Sequence, residues 1–172
     1  MTEAVIDSSI ALTWCFEDEA SPETDRLFER VRDNGAVVPS LWHLELSNVL
    51  LQAEKRGRID AGDVAARLDL IADLPISVDQ ETTARAWREI LALARAERLT
   101  TYDATYLELA ARRGLPLLTK DEDLAQAAIR LGVVVHPSPR SKRLRQHVKR
   151  GSSRANQQGS KAKMTLKSPG SR

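Results

Sequence analysis

The chain contains a single cysteine, Cys15, in 172 residues. No disulfide can form within it, and no cysteine-based zinc site can be assembled. Histidine is nearly as scarce: His43, His136 and His147 are scattered. His43 stands two residues before Glu45, and a helix points such a pair apart, so no histidine-based catalytic site is expected. No run approaches the roughly 18 consecutive apolar residues of a membrane span. The opening Met1-Thr2-Glu3-Ala4-Val5-Ile6-Asp7 lacks the basic and apolar regions of a secretory signal. Together these absences predict a cytoplasmic protein without a membrane partner.

Acid is absent from one part of the chain. Residues 137–172 carry eleven Lys and Arg and no Asp or Glu. Residues 1–136 therefore hold fifteen basic residues against all 24 acids, a net charge of −9. The overall +2 conceals an acidic domain followed by a basic tail. The tail is rich in Ser, Gly, Gln and Lys with little to bury, and is expected to be disordered. The full chain is 42% hydrophobic, enough apolar material for one core, and the length suits one domain.

Within residues 1–136 short apolar runs alternate with helical patterns. Strands are predicted at 4–6, 36–38, 76–78, 115–119 and 133–135, with Pro116 confined to the start of the fourth. Helices are predicted from Ile10 to Phe16 and from Pro22, with Leu27, Phe28 and Val31 inward. Another starts at Ser40, where Trp42, Leu46, Val49, Leu50 and Ala53 form one stripe. Three more cover 60–72 (Val64, Leu68 and Ile71 inward), 79–97 (Ala84, Trp87, Leu91 and Ala94) and 101–113, the last stopped by Gly114. A final helix runs over 121–131. This alternation predicts an α/β domain, a mainly parallel sheet of four to five strands with helices on both faces. In such sheets sites lie beyond the carboxyl ends of the strands.

Asp7 directly follows the first strand and Asp121 the fourth. Asp103 lies in the first turn of a helix. Each has a plain structural reading: Asp7 and Asp121 as N-caps, and Thr100 with Asp103 as a capping box. Glu45 borders an apolar stripe, where an ionised carboxylate needs a partner or a cation; a buried arginine is the structural alternative. Taken together, four carboxylates converging on one sheet edge repel each other unless a cation neutralises them. An oxygen-only donor set favours Mg²⁺ or Mn²⁺, and such an ion suits phosphodiester hydrolysis by an activated water. The expected products carry a 3′-hydroxyl and a 5′-phosphate.

Four segments in order, Val5-Ile6-Asp7-Ser8-Ser9, Glu45-Leu46-Ser47-Asn48-Val49-Leu50, Thr101-Tyr102-Asp103-Ala104-Thr105-Tyr106 and Leu118-Thr119-Lys120-Asp121-Glu122-Asp123-Leu124, resemble those of PIN (PilT N-terminal) domain ribonucleases. Closest in pattern are the VapC toxins of type II toxin–antitoxin systems. The resemblance covers residues 4–136. It implies a metal-dependent endoribonuclease in which Asp7, Glu45, Asp103 and Asp121 form the acidic quartet. Asp7 and Asp103 would be the main metal ligands, with Glu45 and Asp121 completing the pocket. Ser9 and Thr119 match small hydroxyl positions near the metal, and Asn48 a frequent Asn one turn after the Glu. Asp123 is a further acid, read as a solvated helix residue. The resemblance also implies an RNA substrate, a homodimer and a cognate antitoxin. The tail departs from it, because such toxins end soon after the last strand.

Cys15 is read as core. Tyr102 and Tyr106, four apart on one helix, are expected in core packing rather than base stacking. Lys55, Arg56 and Arg58 read as a solvated helix end, with RNA phosphate as the alternative. The competing function is a catalytically idle PIN module that binds RNA or a protein partner. A haloacid-dehalogenase phosphatase would need Asp-x-Asp after the first strand, where Asp7-Ser8-Ser9 stands. A receiver domain would need a lysine after the last strand, where His136-Pro137 stands.

Overall fold

The computed structural model describes residues 3–138. The tail expected to be disordered, 137–172, lies outside the described residues except for its first two. Five strands form one parallel sheet: β1 (Ala4–Ile6), β2 (Ala36–Pro39), β3 (Ile76–Asp79), β4 (Leu117–Leu118) and β5 (Val135–His136). Their order is β3-β2-β1-β4-β5, and every neighbouring pair is parallel. Ala4, Val5 and Ile6 are all buried. An unbroken apolar run is what a central parallel strand covered on both faces requires. The chain steps outward through β2 and β3, then returns to the other side of β1. Right-handed crossovers then place the two sets of helices on opposite faces.

The helices are α1 (Ser8–Cys15), α2 (Pro22–Asn34), α3 (Trp42–Lys55), α4 (Ala61–Ala72), α5 (Thr82–Arg85), α6 (Leu91–Glu97), α7 (Thr101–Arg113) and α8 (Glu122–Arg130). Ser21 with Thr24 and Asp60 with Asp63 close capping boxes on α2 and α4, satisfying amides that a helix start leaves unpaired. Gly35 ends α2 at φ +78°, and a Cβ there would stand 3.1 Å from the Pro75 carbonyl oxygen, so this turn accepts no side chain. On α3, Trp42, Leu46, Leu50 and Ala53 face the core as predicted, while Val49 falls at the exposed margin. In α7 every residue from Ala104 to Ala110 is buried. Its far end is pinned by Arg112, which bonds Asp79 at 2.9 Å, Glu108 at 3.0 Å and Glu81 at 3.1 Å.

Four predicted elements need correction. Asp79 closes β3 instead of opening a helix, and the long helix begins at Thr82. Ala86–Ile90 form a π-helical turn between α5 and α6. The extra residue in that turn rotates the stripe, so Trp87 is 91% exposed while Ile90 and Ala94 are buried. On α4 only Ile71 is buried; Val64 is half-buried and Leu68 exposed. The fourth strand shrinks to Leu117–Leu118, because Pro116 has no N–H and contributes only its carbonyl, which accepts from Val5 N at 2.9 Å. The last strand lies further on, at Val135–His136, with Val135 paired to Leu117.

Candidate active site

The order in which strands are added reverses at β1, so the carboxyl ends of β1 and β4 lie side by side, with Ile6 opposite Leu118. Asp7 and Thr119 are the next residues of those strands. The Asp7 amide donates to the Leu118 carbonyl at 2.9 Å, fixing both at one level. Asp7 occupies the N-cap position of α1, but its carboxylate makes no capping bond there. Instead Oδ2 accepts from the Ser9 hydroxyl at 2.6 Å and the Thr119 hydroxyl at 2.7 Å. Ser8 donates to Oδ1 at 3.3 Å. The Lys120 amide donates to Ser9 Oγ at 2.9 Å, and the Asp121 amide to Thr119 Oγ1 at 3.0 Å. Asp7 is only 5% exposed. Burial raises its pKa above the ordinary carboxylate range, against the hydroxyl bonds that lower it, and the charge of Asp103 adds to the rise.

Glu45 sits in the first turn of α3, half-buried. Its Oε2 accepts a short hydrogen bond from the Tyr106 hydroxyl. Burial raises the Glu45 pKa, the Tyr106 bond lowers it, and Asp7 and Asp103 raise it further. The same contact and burial push the Tyr106 phenol far up, so it stays a donor. Asp103 lies in the first turn of α7. Thr100 caps that helix by accepting from the Asp103 amide at 3.1 Å and donates to Asp103 Oδ2 at 2.6 Å. This is half of the expected capping box: the Asp103 side chain receives a hydroxyl and does not reach back to the N-cap amide.

The structure thus brings Asp7, Glu45, Asp103, Ser9 and Thr119 into one electrostatic neighbourhood. Among the described residues none of the three acids has an ion-pair partner, so the arginine considered for Glu45 is absent and Tyr106 takes its place. Asp121 is exposed, and its Oδ1 accepts from the Leu124 amide at 2.7 Å as the N-cap of α8. It reaches the cluster through Thr119. Asn48 is exposed and makes no hydrogen bond to the carboxylates, and Asp123 is exposed on α8. Tyr102, expected in the core, is 61% exposed, whereas Tyr106 is 1% exposed. Arg58 is held by Asp18 at 2.7 Å and Glu19 at 3.2 Å and stacks over Phe16. Sequence reasoning missed Ser8 and the Tyr106 hydroxyl. The i, i+3 spacing of Asp103 and Tyr106 was the available signal.

Three carboxylates, two of them raised by burial and by neighbouring negative charge and all flanked by hydroxyls, offer hard-oxygen donors of the kind a divalent cation takes. Among the described residues, however, no three His, Cys, Asp or Glu side chains are gathered into a ready metal-binding group.

Comparison with known proteins agrees with this architecture. The model of the PIN domain family matches residues 4–130. Ribonuclease VapC3 of Pyrobaculum aerophilum is 25% identical over 122 residues, covering 71% of this chain and 92% of that protein. The crystal structure of PAE2754 from Pyrobaculum aerophilum superposes with a TM-score of 0.59 at 23% identity, over 78% of this chain and 83% of that one. VapBC2 from Rickettsia felis, bound to a DNA fragment from its promoter, gives a TM-score of 0.55 at 12% identity, over 78% and 97%. With the family model spanning β1 to β4 and all three clustered acids, the chain belongs to the PIN domain family.

Proposed function

We propose that this chain is a Mg²⁺- or Mn²⁺-dependent endoribonuclease and the toxin of a type II toxin–antitoxin pair, acting as a homodimer in the cytoplasm. The observation that carries the reading is the buried Asp7 carboxylate. Two hydroxyls hold it at the switch point of the sheet, Glu45 and Asp103 share its surroundings, and no side-chain cation neutralises it among the described residues. Holding negative charges together without a counter-ion is costly, so the arrangement is suited to receiving one. Asp7 and Asp103 would hold the ion, directly or through water, with Glu45 beside them and Asp121 at the rim. When bound, a divalent ion supplies charge neutralisation at the phosphodiester and a water acidic enough to attack. The chain's own part is positional. Ser9 and Thr119 fix the Asp7 carboxylate, Tyr106 fixes Glu45, and Thr100 fixes Asp103. The names of the relatives, a ribonuclease VapC and a VapBC complex, support RNA as substrate and an antitoxin as partner.

The second reading is an idle module, and the lack of a ready metal-binding group among the described residues speaks for it. The test is incubation of the purified chain with mixed RNA and Mg²⁺ or Mn²⁺, beside EDTA and Asp103→Asn controls. Cleavage lost in both controls supports the nuclease. Cleavage that persists in Asp103→Asn places the activity elsewhere, and its absence throughout, with no cation bound by calorimetry, selects the idle module.

A further inference from the structure

The first turn of α7 carries an aromatic residue that the fold does not use. Asp103 and Tyr102 lie three and four residues before Tyr106, so all three occupy one side of the helix. Tyr106 is the buried member, with its hydroxyl on Glu45. Tyr102 lies one turn outward. Its ring is 61% exposed and stacks on no other ring, and its hydroxyl makes no hydrogen bond among the described residues. It is the one large apolar side chain that α7 exposes; Thr101, Ala111 and Arg113 are the other exposed positions. α7 leads back into β4, so its N-terminus lies at the carboxyl edge of the sheet, where Asp7 stands. Side chains on a helix lean toward its N-terminus, which carries the Tyr102 ring outward over that edge. Lys120, two residues beyond β4, stands at that same edge. Its backbone amide is tied to Ser9, and its exposed ammonium has no ion-pair partner among the described residues.

An aromatic face and a free cation beside the carboxylates form the pairing that single-strand binders use: the ring stacks on a base and the cation takes a phosphate. We infer that Tyr102 is a stacking platform for one unpaired nucleobase flanking the scissile phosphate. Lys120 takes a neighbouring phosphate. A base already paired and stacked in a duplex has no free face to offer. This inference rests on the nuclease reading, and the test separates the two.

Binding of fluorescein-labelled oligouridine to the full chain is followed by anisotropy in EDTA. High salt weakens phosphate attraction by the basic segment 137–172. Tyr102→Ala should weaken binding about 5- to 150-fold, the range that one stacked base spans, and Tyr102→Phe should restore wild-type affinity because the ring suffices. A ribose–phosphate oligomer lacking bases should lose that same factor against wild type but not against Tyr102→Ala. With Mn²⁺ present, Tyr102→Ala should raise KM far more than it lowers kcat. Unchanged binding in Tyr102→Ala, equal loss in Tyr102→Phe, or equal affinity for a fully paired duplex would each overturn the inference. If wild type cleaves nothing while the binding pattern holds, the nuclease reading fails and the stacking assignment stands.

Discussion

Replacing Tyr106 by Phe removes a single oxygen from the core without opening a cavity in the apolar packing. What it deletes is the hydroxyl that donates to Glu45 Oε2. A hydrogen bond to a charged group contributes about 1.5–3 kcal/mol. Glu45 is only half-buried and water can replace part of the bond, so the lower end, about 1.5 kcal/mol, is expected for stability. For a chain of this size that is a fall in Tm of about 3–6 °C. On the proposed function the cost to cleavage should be larger, because an outer partner that orients a metal-site carboxylate is typically worth about 10–100-fold in activity or metal affinity. The assay has two parts: thermal unfolding in EDTA, and Mn²⁺ titration by calorimetry with cleavage rates alongside. A Glu45→Gln background completes a double-mutant cycle. There the Tyr106→Phe change should cost less, because a neutral amide accepts a weaker bond. The reasoning is refuted if Tyr106→Phe costs the same whether position 45 is Glu or Gln, since the hydroxyl would then act through something other than the carboxylate.

Two further outcomes follow from burial. Asp7 and Glu45 both have pKa values raised by burial, so the folded chain holds their protons more tightly than the unfolded one. Their contribution favours folding below about pH 4 and is lost as the pH rises through the folded values. On the nuclease reading Asp7→Asn should abolish cleavage, and the burial of Asp7 means that the variant should gain stability relative to wild type between pH 4 and 7 in EDTA; parallel urea-midpoint curves for the two proteins would contradict this. Cys15 is 4% exposed and burial pushes its thiol up to about 11. It should ignore an aromatic disulfide reagent at pH 8 until urea unfolds the chain, and prompt stoichiometric labelling of the native protein would show the site to be open.

The parts of the site legible in the sequence were those set by local rules. A continuous apolar run ending in an acid is the mark of a buried parallel strand with a functional end, and Asp7 fits it. Asp103 was legible as a first-turn acid, and Glu45 as a carboxylate at the border of a stripe. What joins them was not legible. Glu45 and Tyr106 are 61 residues apart, and nothing local tells a tyrosine that supports a carboxylate from one that fills a core. Spacing put Tyr102 and Tyr106 on the same side of α7, but depth depends on how far the neighbouring elements reach along that helix. The π-helical turn defeated the periodic reading at Trp87 for a related reason: its wider turn shifts the phase there, while Ala94 further on still faces inward. The capping role of Asp121 was visible beforehand, because strand end, cap and catalytic acid share one sequence pattern.

The central β1–β4 pairing joins Val5 to Leu117, and the Asp7–Thr119 bond lies immediately beyond it. Closing a loop of that length costs about 4 kcal/mol in chain entropy, returned only when the intervening helices are already packed. While the chain is still being synthesised, the first acid leaves the ribosome more than a hundred residues before the hydroxyl that fixes it. The site is therefore among the last parts of the molecule to assemble. A nascent or prematurely terminated chain that stops short of β4 carries Asp7, Glu45 and Asp103 without Thr119, one of the two hydroxyls that hold the Asp7 carboxylate in place.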